Sequence, residues 1–304
     1  AQIIIGTHSL LSKNIEFNNL GLLIIDEEQH FGVNQKEVFK QKYKKINILS
    51  LTATPIPRTL QLSLSGIVDM SLITTPPANR LSIRTFISPW DEIIIKEAIK
   101  RELFRGGSIF FVVPRINDIA KMHQQLLNIL PNLKISVAHG QMKPKDIEKA
   151  ISEFIEGDIN LLLTTNIIES GLDIKSANTI IIYRADMFGL SQLYQLRGRV
   201  GRSSNRAYAY LTISSNENIS EMARKRLNVM QTLDSLGAGF SLASHDMDIR
   251  GAGNLLGQEQ SGNIREVGVE LYQKLLNEAV SSGKNKDKDI EEDWSIQIKL
   301  SIPT

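Results

Sequence analysis

Residues 20–33 read LGLLIIDEEQHFGV, and the order of residue types within them decides how the rest is read. Leu22 to Ile25 form an apolar run too short for a helix, so they read as a buried strand, and three carboxylates follow without a gap. In open parallel α/β sheets, ligands gather beyond the carboxyl ends of the strands. Acids at that edge can hold a metal against a polyphosphate. Taken alone, Asp26, Glu27 and Glu28 serve equally as a charged helix start, which the helix dipole favours.

Working outward, short apolar runs alternate with amphipathic stretches along most of the chain, the signature of βα units on parallel sheets. QIII, LLII and INILSL come first. TPPANR, residues 75–80, breaks the rhythm with paired prolines and reads as a hinge. SIFFVV, ISVAH, INLLLTT, NTIIIY and AYAYLTI follow as further strands. Between them, Asp91 to Phe104 places Ile95, Ala98, Ile99 and Leu103 on one helical face, and Gly106-Gly107 ends that helix. Beyond Leu211 the pattern changes to a helical stretch over 217–236 and a glycine-rich region over 237–268. Residues 281–293, SSGKNKDKDIEED, have linker composition, and WSIQIKLSIPT then alternates like the opening strand of another domain.

Composition sets wide bounds. At 304 residues, 42% hydrophobic and 22% charged, the chain has material for about two globular domains, and disorder or a disulfide scaffold is excluded. It has no cysteine, no apolar run long enough to span a bilayer and no basic leader, which points to a soluble cytoplasmic protein with no membrane partner. The Asn218-Ile219-Ser220 sequon is a chance match there. A formal charge of +2 says little, but residues 184–226 carry eight Lys/Arg against three Asp/Glu. The chain opens on Ala1 inside a strand-like run, as an excised piece would.

Three later stretches give the acids a context. LSLTATPIPRTL, residues 49–60, is an apolar strand ending in Thr52-Ala53-Thr54, whose hydroxyls can link a carboxylate to a mobile neighbour. TTNIIESGLDI (164–174) and QLYQLRGRVGR (192–202) appear in the second half. With these four motifs in order, the chain resembles the superfamily 2 helicases and translocases. That resemblance implies two tandem RecA-like parallel-sheet lobes, the first truncated at its N-terminus, with ATP and Mg2+ in the cleft between them.

By that likeness Asp26 would hold Mg2+, Glu27 would orient the attacking water and Gln29 would link nucleotide state to the second lobe. Thr52 and Thr54 match the coupling motif. Gly171, Asp173 and Gln195 would line the nucleotide side of the cleft. Arg199 and Arg202 fall on the two arginines of QxxGRxGR, spaced to project from one helix face as phosphate-binding fingers; the alternative is a solvated helix face. No GxxxxGK(S/T) occurs in the sequence, and at the one Gly-Lys pair, Gly283-Lys284, Glu278 stands where the first glycine belongs. The phosphate loop is expected upstream of Ala1, and the chain by itself is expected to be inactive as an ATPase.

On the DNA side, Thr7 of GTHSLL, His139 and Gly140 of AHGQM, and Thr164 and Thr165 match positions that track a phosphate backbone, contacts that are salt-sensitive and blind to sequence. A satisfied core or surface histidine is the competing account of His139. LASHDMDIRGAGNLLGQEQSG, residues 242–262, resembles the TRG translocation motif, a helical hairpin and loop in which Arg250 and Gln260 match functional residues. The glycines in it also suit tight turns alone. The form DEEQHFGV, the junction TTPPANRLSIRTF and the continuation past the TRG element make the chain most similar to the family of bacterial transcription-repair coupling factors. Lys175 departs from that family's usual proline.

The resemblance divides the chain into 1–78, the distal part of the first motor lobe; 79–235, the second lobe; 236–280, the TRG element; and 281–304, a linker and the start of a further domain. It implies an ATP-dependent double-stranded DNA translocase that displaces stalled RNA polymerase and couples transcription to nucleotide excision repair. RNA polymerase and UvrA would be met through parts of the whole protein outside these residues. A RecG-like fork-regression motor and a non-hydrolytic DNA- or protein-binding module are the alternatives.

Overall fold

The computed structural model describes residues 2–12, 15–28, 31, 39, 42, 43, 46–54, 69–73, 75, 81–166, 174, 176–203, 205–214, 219–232, 241, 242, 245 and 246. Strand β1 (Leu22–Ile25) pairs in parallel with β2 (Asn47–Ser50), Leu22 opposite Asn47 and Ile25 opposite Ser50. The acids of the opening stretch therefore sit immediately past the carboxyl end of a parallel strand, as expected, but that strand is not the buried one expected: Leu22 and Ile24 are exposed and only Ile25 is buried.

The second sheet is built from β3 (Arg84–Pro89), β4 (Ser108–Val112), β5 (Ile135–Ala138), β6 (Leu161–Thr164), β7 (Ala177–Ile182) and β8 (Tyr208–Ile213). Its order is β3-β8-β7-β4-β6-β5, and every pairing is parallel. Helices α1 (Glu92–Phe104), α2 (Asn117–Ile129), α3 (Pro144–Glu156), α4 (Leu190–Arg197) and α5 (Glu221–Thr232) cover it.

β4 shows why this part folds as it does. Each of its residues is buried, and successive side chains enter different cores. Ile109 and Phe111 pack with Ile95 and Ile99 of α1 and Met122 and Leu126 of α2. Phe110 and Val112 pack with Phe154 of α3, Leu193 and Leu196 of α4 and Met230 of α5. A strand with both faces dry needs helices on both sides, and its near-continuous apolar sequence supplies the demand.

Several expectations need correction. QIII is not a strand: residues 2–5 have no ladder partner among the described residues, and Ile5 is 93% exposed. A lone apolar run is no strand until its amides find a neighbour. Conversely, RTFISP forms the edge strand β3, beside β8 with Arg84 opposite Tyr208. On α1, Ile95, Ala98, Ile99 and the partly buried Leu103 do share the core face, and Glu102 is buried beside them; of the helix expected over 217–236, Glu221–Thr232 is helical, while 217, 218 and 233–236 lie outside the described residues. Residues 76–80 and 247–304 lie outside the described residues, as does most of 233–246, so the expected hinge, TRG hairpin and terminal strand do too.

Candidate functional site

The acid cluster is held by backbone first. The Leu51 amide donates to the Ile25 carbonyl at 2.7 Å and the Glu28 amide to the Leu51 carbonyl at 3.3 Å, so the segment after β1 is stitched to the segment after β2. Glu27 has φ 51°, the left-handed region that a non-glycine residue enters only when its surroundings hold it there. Its amide donates to Asp26 Oδ1 at 2.9 Å, and the Asp26 side chain is exposed to solvent. Across the same edge, the Thr54 amide donates to Thr52 Oγ1 at 3.1 Å, a local turn that leaves Thr54 buried.

α4 approaches this edge. Its start is fixed by Gly189, whose amide donates to Gln192 Oε1 at 3.0 Å, and Leu190, Leu193 and Leu196 anchor it in the core. That packing aims Gln195 at the threonine segment: its Nε2 donates to Thr54 Oγ1 at 3.1 Å, with both residues buried. The structure thus brings together the β1–β2 edge carrying Asp26, Glu27, Thr52 and Thr54 and the QLYQLRGRVGR segment carrying Gln195.

The arginine pair is arranged differently from the expectation. α4 ends at Arg197, so Arg199 and Arg202 do not share a helix face. Gly198 caps the helix and Gly201, at φ +73°, turns the chain where a Cβ would lie 3.1 Å from Ala207 and Ile83. Arg199 is 6% exposed, whereas Arg202 is exposed and returns its Nε to the Gly198 carbonyl at 3.3 Å. The two glycines that mark the motif interrupt the helix that its spacing suggested.

The basic count over 184–226 is likewise folded inward in part. Arg197 is buried, and its Nη1 donates to the Met230 carbonyl at 3.1 Å. Arg226 Nη2 donates to the Asp186 carbonyl at 3.1 Å, and Arg184, at φ 52°, pairs with Asp186 at 3.4 Å. Sequence reading assigned none of these three arginines; for Arg226 and Arg197, partners 40 and 33 residues away leave no local signal.

His139 and Gly140 lie just after β5, Thr164 ends β6 and Thr165 follows it, so all four are at the carboxyl edge of the second sheet. Gly140 is exposed. His139 lines an open groove of about 480 Å3 with Ile116, Ile119, Ala120, His123 and Val137, and its Nδ1 meets no hydrogen-bond partner among the described residues. Thr164 is a correction: it is fully buried and its hydroxyl donates to the Thr165 carbonyl at 3.0 Å, so it has no side-chain surface for a phosphate. Thr165 is buried as well. Thr7 is exposed and caps a short 3-10 turn over His8–Leu11, accepting from the Ser9 amide at 3.4 Å. Gln29, Gly171, Asp173, Arg250 and Gln260 lie outside the described residues.

No group of three or more metal-ligating side chains occurs among the described residues. An exposed aspartate beside one further acid suits Mg2+, which takes one or two carboxylates and completes its shell with water and substrate phosphates. No helix among the described residues is long and apolar enough to cross a membrane.

Residues 1–63 match the DEAD/DEAH box helicase family and residues 92–204 the helicase conserved C-terminal domain. The transcription-repair-coupling factor of Rickettsia bellii is 54% identical over 300 residues, covering 99% of this chain and 27% of that protein. The Escherichia coli K12 protein of the same name is 47% identical over 305 residues, again 99% and 27%. The chain thus spans about a quarter of the length of the curated relatives it matches. Among solved structures, RecG bound to a three-way DNA junction matches with TM-score 0.64 and 33% identity, covering 90% of this chain and 36% of that one. Yeast Dbp5 bound to RNA and ADP BeF3, at 14% identity and TM-score 0.53 over 80% of this chain and 66% of that one, shares the fold alone. Over nearly its whole length, this chain is homologous to the transcription-repair-coupling factors, and its described residues share with RecG a RecA-like parallel-sheet core with helical elements.

Proposed function

We propose that the chain is the motor portion of an ATP-dependent double-stranded DNA translocase that displaces stalled RNA polymerase and so couples transcription to nucleotide excision repair. The observation that carries this reading is the Gln195–Thr54 hydrogen bond, which ties the motif of the second sheet to the edge holding Asp26 and Glu27. A passive binding module has no need of a water-orienting acid at such a junction.

In this reading residues 1–78 and 79–235 are two lobes, followed by a translocation element carrying Arg250 and Gln260. ATP with Mg2+ supplies the phosphoryl bond whose cleavage drives the cycle. Asp26 holds the cation, Glu27 orients a water and accepts its proton, and Gln29, Gly171 and Asp173 line the cleft. Arg199 and Arg202 offer guanidinium groups to the phosphates from the second lobe, so that hydrolysis waits on closure. Thr7, His139, Gly140 and Thr165 face the DNA backbone, Thr165 through its main chain. RNA polymerase and UvrA are met by parts of the whole protein beyond these residues.

The test is Glu27→Gln in a form as long as the curated relatives. ATP turnover falls by about 10²–10⁴-fold while duplex DNA binding persists; unchanged turnover refutes the assignment. The likeness to RecG on a three-way junction favours a second reading, fork regression. Supplying the same protein with stalled transcription complexes and with branched DNA separates the two: release of polymerase supports the first, branch migration alone the second.

A further inference from the structure

Asn178 is out of place in its strand. β7 is buried along its whole length, and an asparagine there forfeits β-propensity and must find partners for an amide cut off from water. The ladder shows how it is accommodated. Between β4 and β7 the register passes from Ser108 opposite Ala177 to Ile109 opposite Thr179, so Asn178 is skipped. Such a bulge bends the strand and re-aims the side chain of the extra residue, a device common beside functional sites. Thr179 bonds Glu102 of α1, and Asn178 reaches instead the loop that follows α4.

That contact is specific. Asn178 Nδ2 donates to the Ser176 carbonyl at 3.2 Å, which orients the carboxamide, and Oδ1 accepts from Ser203 Oγ at 2.7 Å. Ser203 Oγ accepts in turn from the Asn205 amide at 3.3 Å, so one hydroxyl ties the loop to the strand and closes the loop's own turn. Ser203 directly follows Arg202. On the other side of Arg202, Gly201 is buried against Ala207 and Ile83. Further along, Arg105 Nη1 donates to the Arg206 carbonyl at 2.9 Å and Ala207 is buried. Arg202 is thus an exposed side chain on a segment fixed on both sides.

We infer that Asn178 is a positioning residue for Arg202: from the bulge in β7 it holds Ser203, and thereby fixes the backbone from which the Arg202 guanidinium extends. The inference rests on the motor reading above, in which Arg202 meets the phosphates; Asn178 and Ser203 touch neither nucleotide nor DNA. A group that acts in the transition state is sensitive to reach, and misplacement on the order of 1 Å costs about 10²-fold. A residue that only stabilises the fold lowers the unfolding midpoint and leaves kcat per folded molecule alone. A positioning residue lowers kcat with KM for ATP little changed.

The experiment uses a form as long as the curated relatives, carrying Asn178→Ala, Ser203→Ala, Ser203→Thr, Arg202→Gln, or Ser203→Ala together with Arg202→Gln. ATP turnover is measured across ATP concentrations with saturating duplex DNA, and thermal unfolding on the same preparations. Asn178→Ala and Ser203→Ala are expected to lower kcat by about 10–100-fold without a matching change in KM, whereas Ser203→Thr keeps the hydroxyl and most of the rate. In the Arg202→Gln background, Ser203→Ala is expected to have no further effect, because no guanidinium is left to place. If Asn178→Ala does not fold, Ser203→Ala, at a half-buried loop position, carries the test alone. Unchanged kcat in folded Ser203→Ala, or losses that multiply in the double variant, overturns the positioning role and leaves the motor reading standing. Arg202→Gln with wild-type turnover overturns the arginine assignment of that reading, and this inference with it.

Discussion

Gln195 and Thr54, 141 residues apart in the chain, share a buried hydrogen bond of 3.1 Å from side-chain amide to hydroxyl. Neither has water to fall back on. Thr54→Val keeps the shape and removes the acceptor, so the amide is left buried and unmatched at a cost of about 1–3 kcal/mol. Thr54→Val combined with Gln195→Leu removes both partners and recovers much of that loss. Denaturant unfolding of the two single variants and the double variant checks the expected non-additivity; strictly additive losses refute a direct contact.

Glu102 supplies a second test, on the opposite edge of the second sheet. Its carboxylate accepts from Thr179 Oγ1 at 2.5 Å and pairs with Arg105, while a Cβ at Gly107 would lie 1.9 Å from its Oε1. Gly107→Ala is therefore expected to destabilise by about 1–3 kcal/mol, as overpacking does. A Glu102→Ala background removes the three atoms nearest the added Cβ, and the added cost largely disappears. The comparison of unfolding midpoints checks this.

Much of the fold was legible because burial on both faces writes itself into sequence. β4, β6 and β7 are buried throughout, and the apolar runs Ile109–Val112, Leu161–Leu163 and Ile180–Ile182 in them could be read, while β1 was fixed by the charge that follows it. Edge elements were not legible in this way. β3 alternates on one exposed face, with Arg84 and Phe86 outward, and so lacks the signal of its interior neighbours. QIII carries the apolar signal without a partner strand among the described residues. At the site, the residue types at the end of β1 and in the QLYQLRGRVGR segment could be read. The break after Arg197 could not, because it depends on where two glycines let the chain turn.

Tyr210 gives a pH dependence. Burial raises its phenol above the ordinary value, with Tyr208 and Glu102 acting in the same direction and Arg101 and Arg105 opposing. A phenol whose folded pKa is raised holds its proton after the unfolded chain has lost it. Its contribution is complete below about pH 10 and is lost as pH climbs through the folded value. Tyr210→Phe is expected to flatten the alkaline limb of stability between pH 9 and 11, roughly the tyrosine range. Urea unfolding across that range checks it; an unaltered slope counts against a buried, ionisable Tyr210.

Glu27 joins strain to chemistry. Its φ of 51° costs an L-residue about 1–2 kcal/mol, while glycine adopts it freely. Ordinarily Glu→Gly destabilises, since the unfolded glycine chain has more freedom to lose, by about 0.5–1 kcal/mol. Here relief of strain offsets that loss, so Glu27→Gly is expected to leave the unfolding midpoint unchanged or raise it. The same substitution in a form as long as the curated relatives removes the carboxylate assigned to the attacking water, and ATP turnover falls with no loss of stability. A residue placed for packing alone would show the reverse pairing, with stability falling and turnover kept.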